Sequence, residues 1–202
     1  MAPLQSNSSI SFLASFVVIA LTATACAAVR NDPYSSSKAL HFIRTSCTAT
    51  DYPNLCFSSL SGYAGTIRTD PVQLAQAALS VSLTGARATA TSISKILKSG
   101  GVGSREAGVI SDCVDNIGDS VEELRKTIKE MEGLRKSKNF KLCVNDMQTW
   151  VSSALTDENT CMEEFPSTSM ALAARNSVRG EIVKAAQLTS NALSLINGIS
   201  GV

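Results

Sequence analysis

The run ISDCVDNIGDSVEELRKTIKEM, residues 110–131, decides the fold class. Its apolar residues Ile110, Val114, Ile117, Val121, Leu124, Ile128 and Met131 alternate steps of four and three, the spacing that lines up side chains along one face of a helix. A half-buried strand would alternate at period two with Val, Ile and aromatic residues, and no stretch of the chain does so. The opposite face carries Asp119, Glu122, Glu123, Arg125, Lys126, Lys129 and Glu130. Glu122 and Lys126 stand at the spacing of an ordinary surface ion pair, so that face reads as solvated and not as a ligand site.

Toward the N-terminus, Asp70 and Pro71 form an N-cap followed by a first-turn proline. The stripe Val72, Ala75, Leu79, Ala86, Ala90, Ile93 and Leu97 then predicts a long helix, stopped by Gly100 and Gly101. Toward the C-terminus, a helix over about residues 141–155 has Met147, Trp150, Val151, Ala154 and Leu155 on one side. A last helix from about Ser169 carries Val178, Ile182, Ala185, Ala192 and Ile196, with Gly198 as its C-cap. Helices with single apolar stripes and short connections can bury those stripes only against each other. The expectation is an all-α protein, an up-and-down four-helix bundle over residues 67–202.

Residues 29–66 precede the bundle and form one domain with it. Within them Cys47 and Cys56 lie nine positions apart with Pro53 between, which reads as an N-terminal helical hairpin closed by a local disulfide. Its apolar face is thin (Leu40, Phe42, Ile43, Leu55, Phe57, Leu60), so a crosslink worth about 2 kcal/mol matters to its order. Gly62 and Gly65 read as the link to the bundle.

At the very start, residues 10–21 are apolar, the first charged side chain is Arg30, and Ala23, Ala25, Ala27 and Ala28 supply cleavage positions. This reads as a signal peptide over residues 1–28, because the apolar run is shorter than the ~20 residues of a bilayer-spanning helix. The mature chain is expected to begin near Val29 and to be secreted, with no membrane attachment after cleavage. The sole N-glycosylation sequon, at Asn7, falls within that signal. Of the six cysteines Cys26 leaves with it, and in an oxidising compartment four of the rest should pair. Spacing alone leaves Cys113 free to join either Cys143 or Cys161.

Lys and Arg total 18 against 17 Asp and Glu, so bulk charge favours neither nucleic acid nor an anionic polymer or membrane as partner. Catalytic equipment is sparse. His41 is the lone histidine, no nucleophile elbow, phosphate loop or zinc-helix motif occurs, and the cysteines lack zinc-ligand spacing. Neither an enzyme, a metal nor a cofactor is expected. Asp157, Glu158, Glu163 and Glu164 surround Cys161, but they sit too close in sequence to flank a sugar and read as capping groups at a helix start. What remains is a surface that binds.

Three stretches carry a resemblance. They are Cys47-x-x-Thr50-x-Tyr52-Pro53-x-x-Cys56, then Asp112-Cys113 opening the regular helix, then Thr149-Trp150-Val151-Ser152-Ser153-Ala154-Leu155-Thr156-Asp157-Glu158-Asn159-Thr160-Cys161. With Thr189-Ser190-Asn191-Ala192-Leu193 near the end, the chain resembles the plant invertase/pectin methylesterase inhibitor family over essentially its whole mature length. A departure is Glu164, at a place often held by glycine.

The resemblance implies disulfides Cys47–Cys56 and Cys113–Cys161, with Cys143 as a free thiol. It implies a protein partner bound about 1:1 without a covalent step, the flank of the middle helices covering an enzyme's cleft in the cell wall (apoplast). Lys138-Asn139-Phe140 lacks the proline of the Pro-Lys-Phe plug found in invertase inhibitors, and the Trp150 stretch is similar to that of the pectin methylesterase inhibitors. Pectin methylesterase is thus the expected target. Acid invertase, cell-wall or vacuolar, and a non-inhibitory extracellular binding module are the alternatives. The expected contacts are Asp115 and Asp119 near Cys113, with Asp157, Asn159 and Thr160 near Cys161.

Overall fold

In the computed structural model, which describes residues 33–99, 103–165 and 172–199, all regular structure among the described residues is helical. The elements are α1 (Pro33–Cys47), α2 (Pro53–Leu60), a 3₁₀ turn (Ser61–Tyr63), α3 (Ala64–Ile67), α4 (Pro71–Lys98), α5 (Ser104–Gly133), a second 3₁₀ turn (Leu134–Lys136), α6 (Phe140–Glu164) and α7 (Leu172–Ile199). Helix α4 packs on α5, α5 on α6, α6 on α7 and α7 back on α4, which closes the ring of an up-and-down bundle. The signal segment with Cys26 and Asn7, the Gly100 and Gly101 stop, and Ser169 all lie outside the described residues.

Local chemistry accounts for the start of α4. The Asp70 carboxylate accepts from the backbone N–H of Val72 at 2.9 Å and of Gln73 at 3.3 Å, and Pro71 needs no such partner. Its other oxygen pairs with Arg135 beyond the end of α5, fastening the base of one long helix to the end of the next. On the outer face of α5 the pairs are Arg125 with Glu122 and Lys126 with Glu123, three residues apart, in place of the expected Glu122 with Lys126.

The buried seams follow heptads more strictly than the apolar residues alone indicate. In α4 the seam is Ala75, Leu79, Ser82, Ala86, Thr89 and Ile93; in α5 it is Ile110, Cys113, Ile117, Ser120, Leu124, Thr127 and Met131. In α6 it is Val144, Met147, Val151, Ala154, Glu158 and Cys161, continued by Phe165 just past its end; in α7 it is Val178, Ile182, Ala185, Thr189, Ala192, Ile196 and Ile199. This corrects the sequence reading of α5. Val114 and Ile128 are only half-buried, and Cys113, Ser120 and Thr127 occupy the innermost line instead. An apolar stripe marks a face more than 100° wide, so it does not single out its own centre line. Trp150 and Leu155 likewise flank the α6 seam, half-buried.

Several boundaries differ from the sequence reading. Helix α5 begins at Ser104, so Asp112 and Cys113 lie more than two turns inside it. Gly198 does not cap α7, which continues through Ile199 because that residue is 1 % exposed and held by the core. Gly62 and Gly65 fall in the first 3₁₀ turn and in α3, so the link to the bundle is itself helical.

The hairpin α1–α2 is closed by Cys47–Cys56, whose Cα atoms are 5.6 Å apart. Ala39, Ile43, Cys47, Cys56 and Leu60 are buried, while Leu40, Phe42 and Phe57 pack partly buried against the same core. Arg44 stacks 3.8 Å from the centre of the Phe57 ring. Polar contacts then fix the turn to α7. Asn191, 2 % exposed, accepts from the Tyr52 backbone N–H and donates to the Tyr52 carbonyl, both at 3.1 Å. Ser190 donates to Asp51 at 2.6 Å, and Thr50 donates to the Cys47 carbonyl at 2.9 Å.

Substituting Asn191→Ala removes both bonds and leaves the Tyr52 N–H without its partner, while the Tyr52 carbonyl keeps the Cys56 N–H at 2.9 Å, a cost of about 2 kcal/mol. Urea unfolding of wild type and variant measures it. A loss below about 0.5 kcal/mol would mean that the clamp contributes no net stability.

Candidate functional site

The second disulfide sets the geometry of the α5–α6 flank. Cys113 and Cys161 are both 0 % exposed, their Cα atoms are 4.5 Å apart, and the bond closes 48 residues of chain. Around it lie Ile93, Ile110, Ile117, Phe165, Val178 and Ile182, so the crosslink is embedded in the apolar cluster at one end of the bundle. Cys143 is not paired with Cys113. It stays a buried thiol at the other end, with Ser137 Oγ 3.0 Å from its sulfur, and hydrogen bonding to Glu130 is the main cause pushing its pKa up. A raised pKa disfavours the reactive thiolate.

Beside the crosslink the surface is acidic. Asp115 and Asp119 are exposed, one turn apart on α5, and Asp157 on α6 is half-buried. The Asp157 carboxyl is pushed above the ordinary range first by burial, then by the charges of Asp119 and Glu123 on α5. Asp119, Glu123 and Asp157 therefore form one repelling group across the α5–α6 seam. Asp115 extends it by a turn. Thr160 lies three residues from Asp157 and so on nearly the same face of α6, with its hydroxyl bonded back to the Thr156 carbonyl at 2.9 Å. Asn159 does not join them, because two helical residues turn the side chain by about 200° from Asp157.

The four acidic residues near Cys161 are not at a helix start. They occupy the C-terminal turns of α6, where negative charge opposes the helix dipole, so capping does not account for them. Glu163 and Glu164 are exposed and lie in the last turn. Glu158 is different. It is 0 % exposed in the bundle seam, where Ser120 Oγ donates to its Oε1 at 2.8 Å and Thr189 Oγ1 donates to the same oxygen at 3.0 Å. The Ser82 and Thr189 hydroxyl oxygens are 2.6 Å apart, so one polar residue from each long helix meets in a single layer.

Elsewhere, Lys138, Asn139 and Phe140 are exposed in the turn entering α6, with the Asn139 N–H bonded to Ser137 Oγ at 3.1 Å. His41 is exposed on α1. A groove between α2, α4 and α7, lined in part by Leu55, Tyr63, Val81, Ala88 and Leu188, is open to solvent and is not an enclosed ligand chamber. Among the described residues no group of His, Cys, Asp or Glu side chains could hold a metal ion, and no helix is long and apolar enough to cross a membrane.

The family model described as plant invertase/pectin methylesterase inhibitor matches residues 41–195. "Pectinesterase inhibitor 10" of Arabidopsis thaliana is 41% identical over 166 residues, covering 81% of this chain; the chain spans 53% of that relative's length. The "21 kDa protein" of Daucus carota is 40% identical over 168 residues, covering 82% of this chain and 87% of the relative. Among solved structures, mutant form A of a pectin methylesterase inhibitor from Arabidopsis superposes with a TM-score of 0.62 at 20% identity, covering 77% of this chain and 95% of that one. At that identity the likeness is one of fold.

Proposed function

The chain belongs to the plant invertase/pectin methylesterase inhibitor family, and on that premise we propose that it is a secreted, non-enzymatic protein inhibitor of a pectin methylesterase. The observation that carries the proposal is the conjunction of relatives named pectinesterase inhibitors with a rigid, crosslinked α5–α6 flank bearing one acidic patch. A wall of packed helix needs no reactive group to exclude a polymer. It needs area, and a standard interface of about 1,600 Å² in total lies within what one flank of a bundle offers.

In this reading the inhibitor binds about 1:1, with Asp115, Asp119, Asp157 and Thr160 as polar contacts and Asn159 turned away at the margin. Cationic groups of the enzyme would relieve the mutual repulsion of the patch. Residues 1–28 act as the export signal, and the mature protein works in the extracellular wall space. The turn at Lys138-Asn139-Phe140, without a proline to fix its backbone, is a poor preorganised plug, which favours this target over invertase.

Titrating the mature protein separately against pectin methylesterase and acid invertase tests the reading. Pectin methylesterase activity should fall to zero near equimolar inhibitor while invertase is unaffected. Loss of invertase activity alone would transfer the function to the other branch. Loss of neither would leave only a binding module.

A further inference from the structure

The Glu158 layer divides the interior of the bundle. On one side lie Leu79, Leu124, Val151 and Ala154; on the other lie Ile93, Ile117, Cys161 and Ile182. Both hydroxyl donors reach Oε1, and Glu158 Oε2 is buried with no partner among the described residues. An ionised carboxylate has about four acceptor sites, so here it would place a largely unsatisfied charge between two apolar clusters. A neutral carboxyl, protonated on Oε2, would leave one unpaired O–H donor, a smaller cost than an unsatisfied charge, and needs no counter-charge.

We propose that Glu158 is a proton-operated latch, the four-helix layer closing tightly around its neutral carboxyl in acid and loosening when that carboxyl ionises. The surroundings offer nothing to hold the charge. The layer presents Ser82 from α4, Ser120 from α5 and Thr189 from α7, all uncharged. The charge that acts on Glu158 is that of Asp157 on α6 itself, and Asp119 and Glu123 of α5 act in turn on Asp157, all acidic. Among the described residues no lysine or arginine forms an ion pair with Glu158.

Burial raises the Glu158 carboxyl from 4.5 to about 7; the Ser120 and Thr189 hydrogen bonds pull it down only in part, and Asp157 pushes it further up. The folded state therefore binds more protons than the unfolded state between those two values. The resulting stabilisation is complete below about pH 4.5 and is lost as pH rises to about 7. The folding equilibrium constant should fall on the order of a hundredfold across that window.

The test uses the free inhibitor and no target, so its failure leaves the proposed inhibition standing. Urea unfolding of wild type is followed from pH 4.5 to 7.5 beside Glu158→Gln, which keeps the shape and stays neutral. Wild type should lose stability on the order of a hundredfold across this range, and the glutamine variant should lose less than tenfold, ending more stable than wild type at pH 7.5. Equal slopes in the two proteins would overturn the latch. Should the variant not fold, carbon NMR of the wild-type glutamate carboxyls decides: a Glu158 resonance titrating near 7 supports the proposal, and one titrating below 5 overturns it.

Discussion

Replacing Cys113 and Cys161 together by alanine is expected to lower the stability of the folded protein by about 4 kcal/mol. The bond closes 48 residues, and in the chain-entropy model the unfolded state of the crosslinked protein is restricted accordingly. The hairpin bond Cys47–Cys56 closes only nine, and its removal should cost about 2.5 kcal/mol by the same reckoning. The two losses differ in place as well as in size. Without Cys47–Cys56 the hairpin keeps the Asn191 clamp; without Cys113–Cys161 the α5–α6 seam near Ile117 and Phe165 loses its tie and gains sulfur-sized gaps in a fully buried cluster. Urea unfolding of both alanine pairs under oxidising conditions measures the difference. A cost below about 1 kcal/mol for the long loop would mean that the unfolded chain is already restrained there without the bond.

The bundle was legible in the sequence because its seams are written in period. Steps of three and four in four segments leave few ways to bury the stripes, and Asp70-Pro71 marks a helix start by side-chain chemistry alone. The polar layer was not legible from those stripes. Ser82, Ser120, Glu158 and Thr189 are hydrophilic, and a count of apolar positions passes over each of them. A signal existed all the same: Leu79 and Ala86, Ile117 and Leu124, Ala154 and Cys161, and Ala185 and Ala192 are each seven apart, and in every case the seam position between them is one of these four residues. Filling the heptad first and reading the residue afterwards would have found the layer.

The same rule bears on the residues that the sequence groups around Cys161. Proximity in sequence set Asp157 beside Glu158 in the acidic cluster and beside Asn159 among the expected contacts, but helical rotation sends Glu158 inward and Asn159 away from Asp157. The pairing of Asp119 with Asp157 depends on how α5 and α6 dock, which no local spacing encodes. The final motif, Thr189-Ser190-Asn191, is likewise explained only in three dimensions. Its members reach Glu158, Asp51 and Tyr52, tying the core layer and the hairpin turn to one stretch of α7.

The acidic patch yields the other large effect, and its direction separates binding from folding. Reversing Asp119 and Asp157 together to lysine should weaken the proposed inhibition of pectin methylesterase on the order of a thousandfold, because the two proposed contacts would turn from attractive to repulsive. Folding should move the other way. In the free protein Asp119, Glu123 and Asp157 repel one another, so the exchanged charges make Glu123 a partner of both lysines and raise stability by a few tenths of a kcal/mol after solvent screening. A surface retained for another molecule is where such a local cost persists. Inhibition constants at moderate salt, read beside urea midpoints of the same samples, test both halves. A variant that inhibits as well as wild type would remove the patch from the interface, whereas one that loses stability in step with inhibition would assign these carboxylates to the fold.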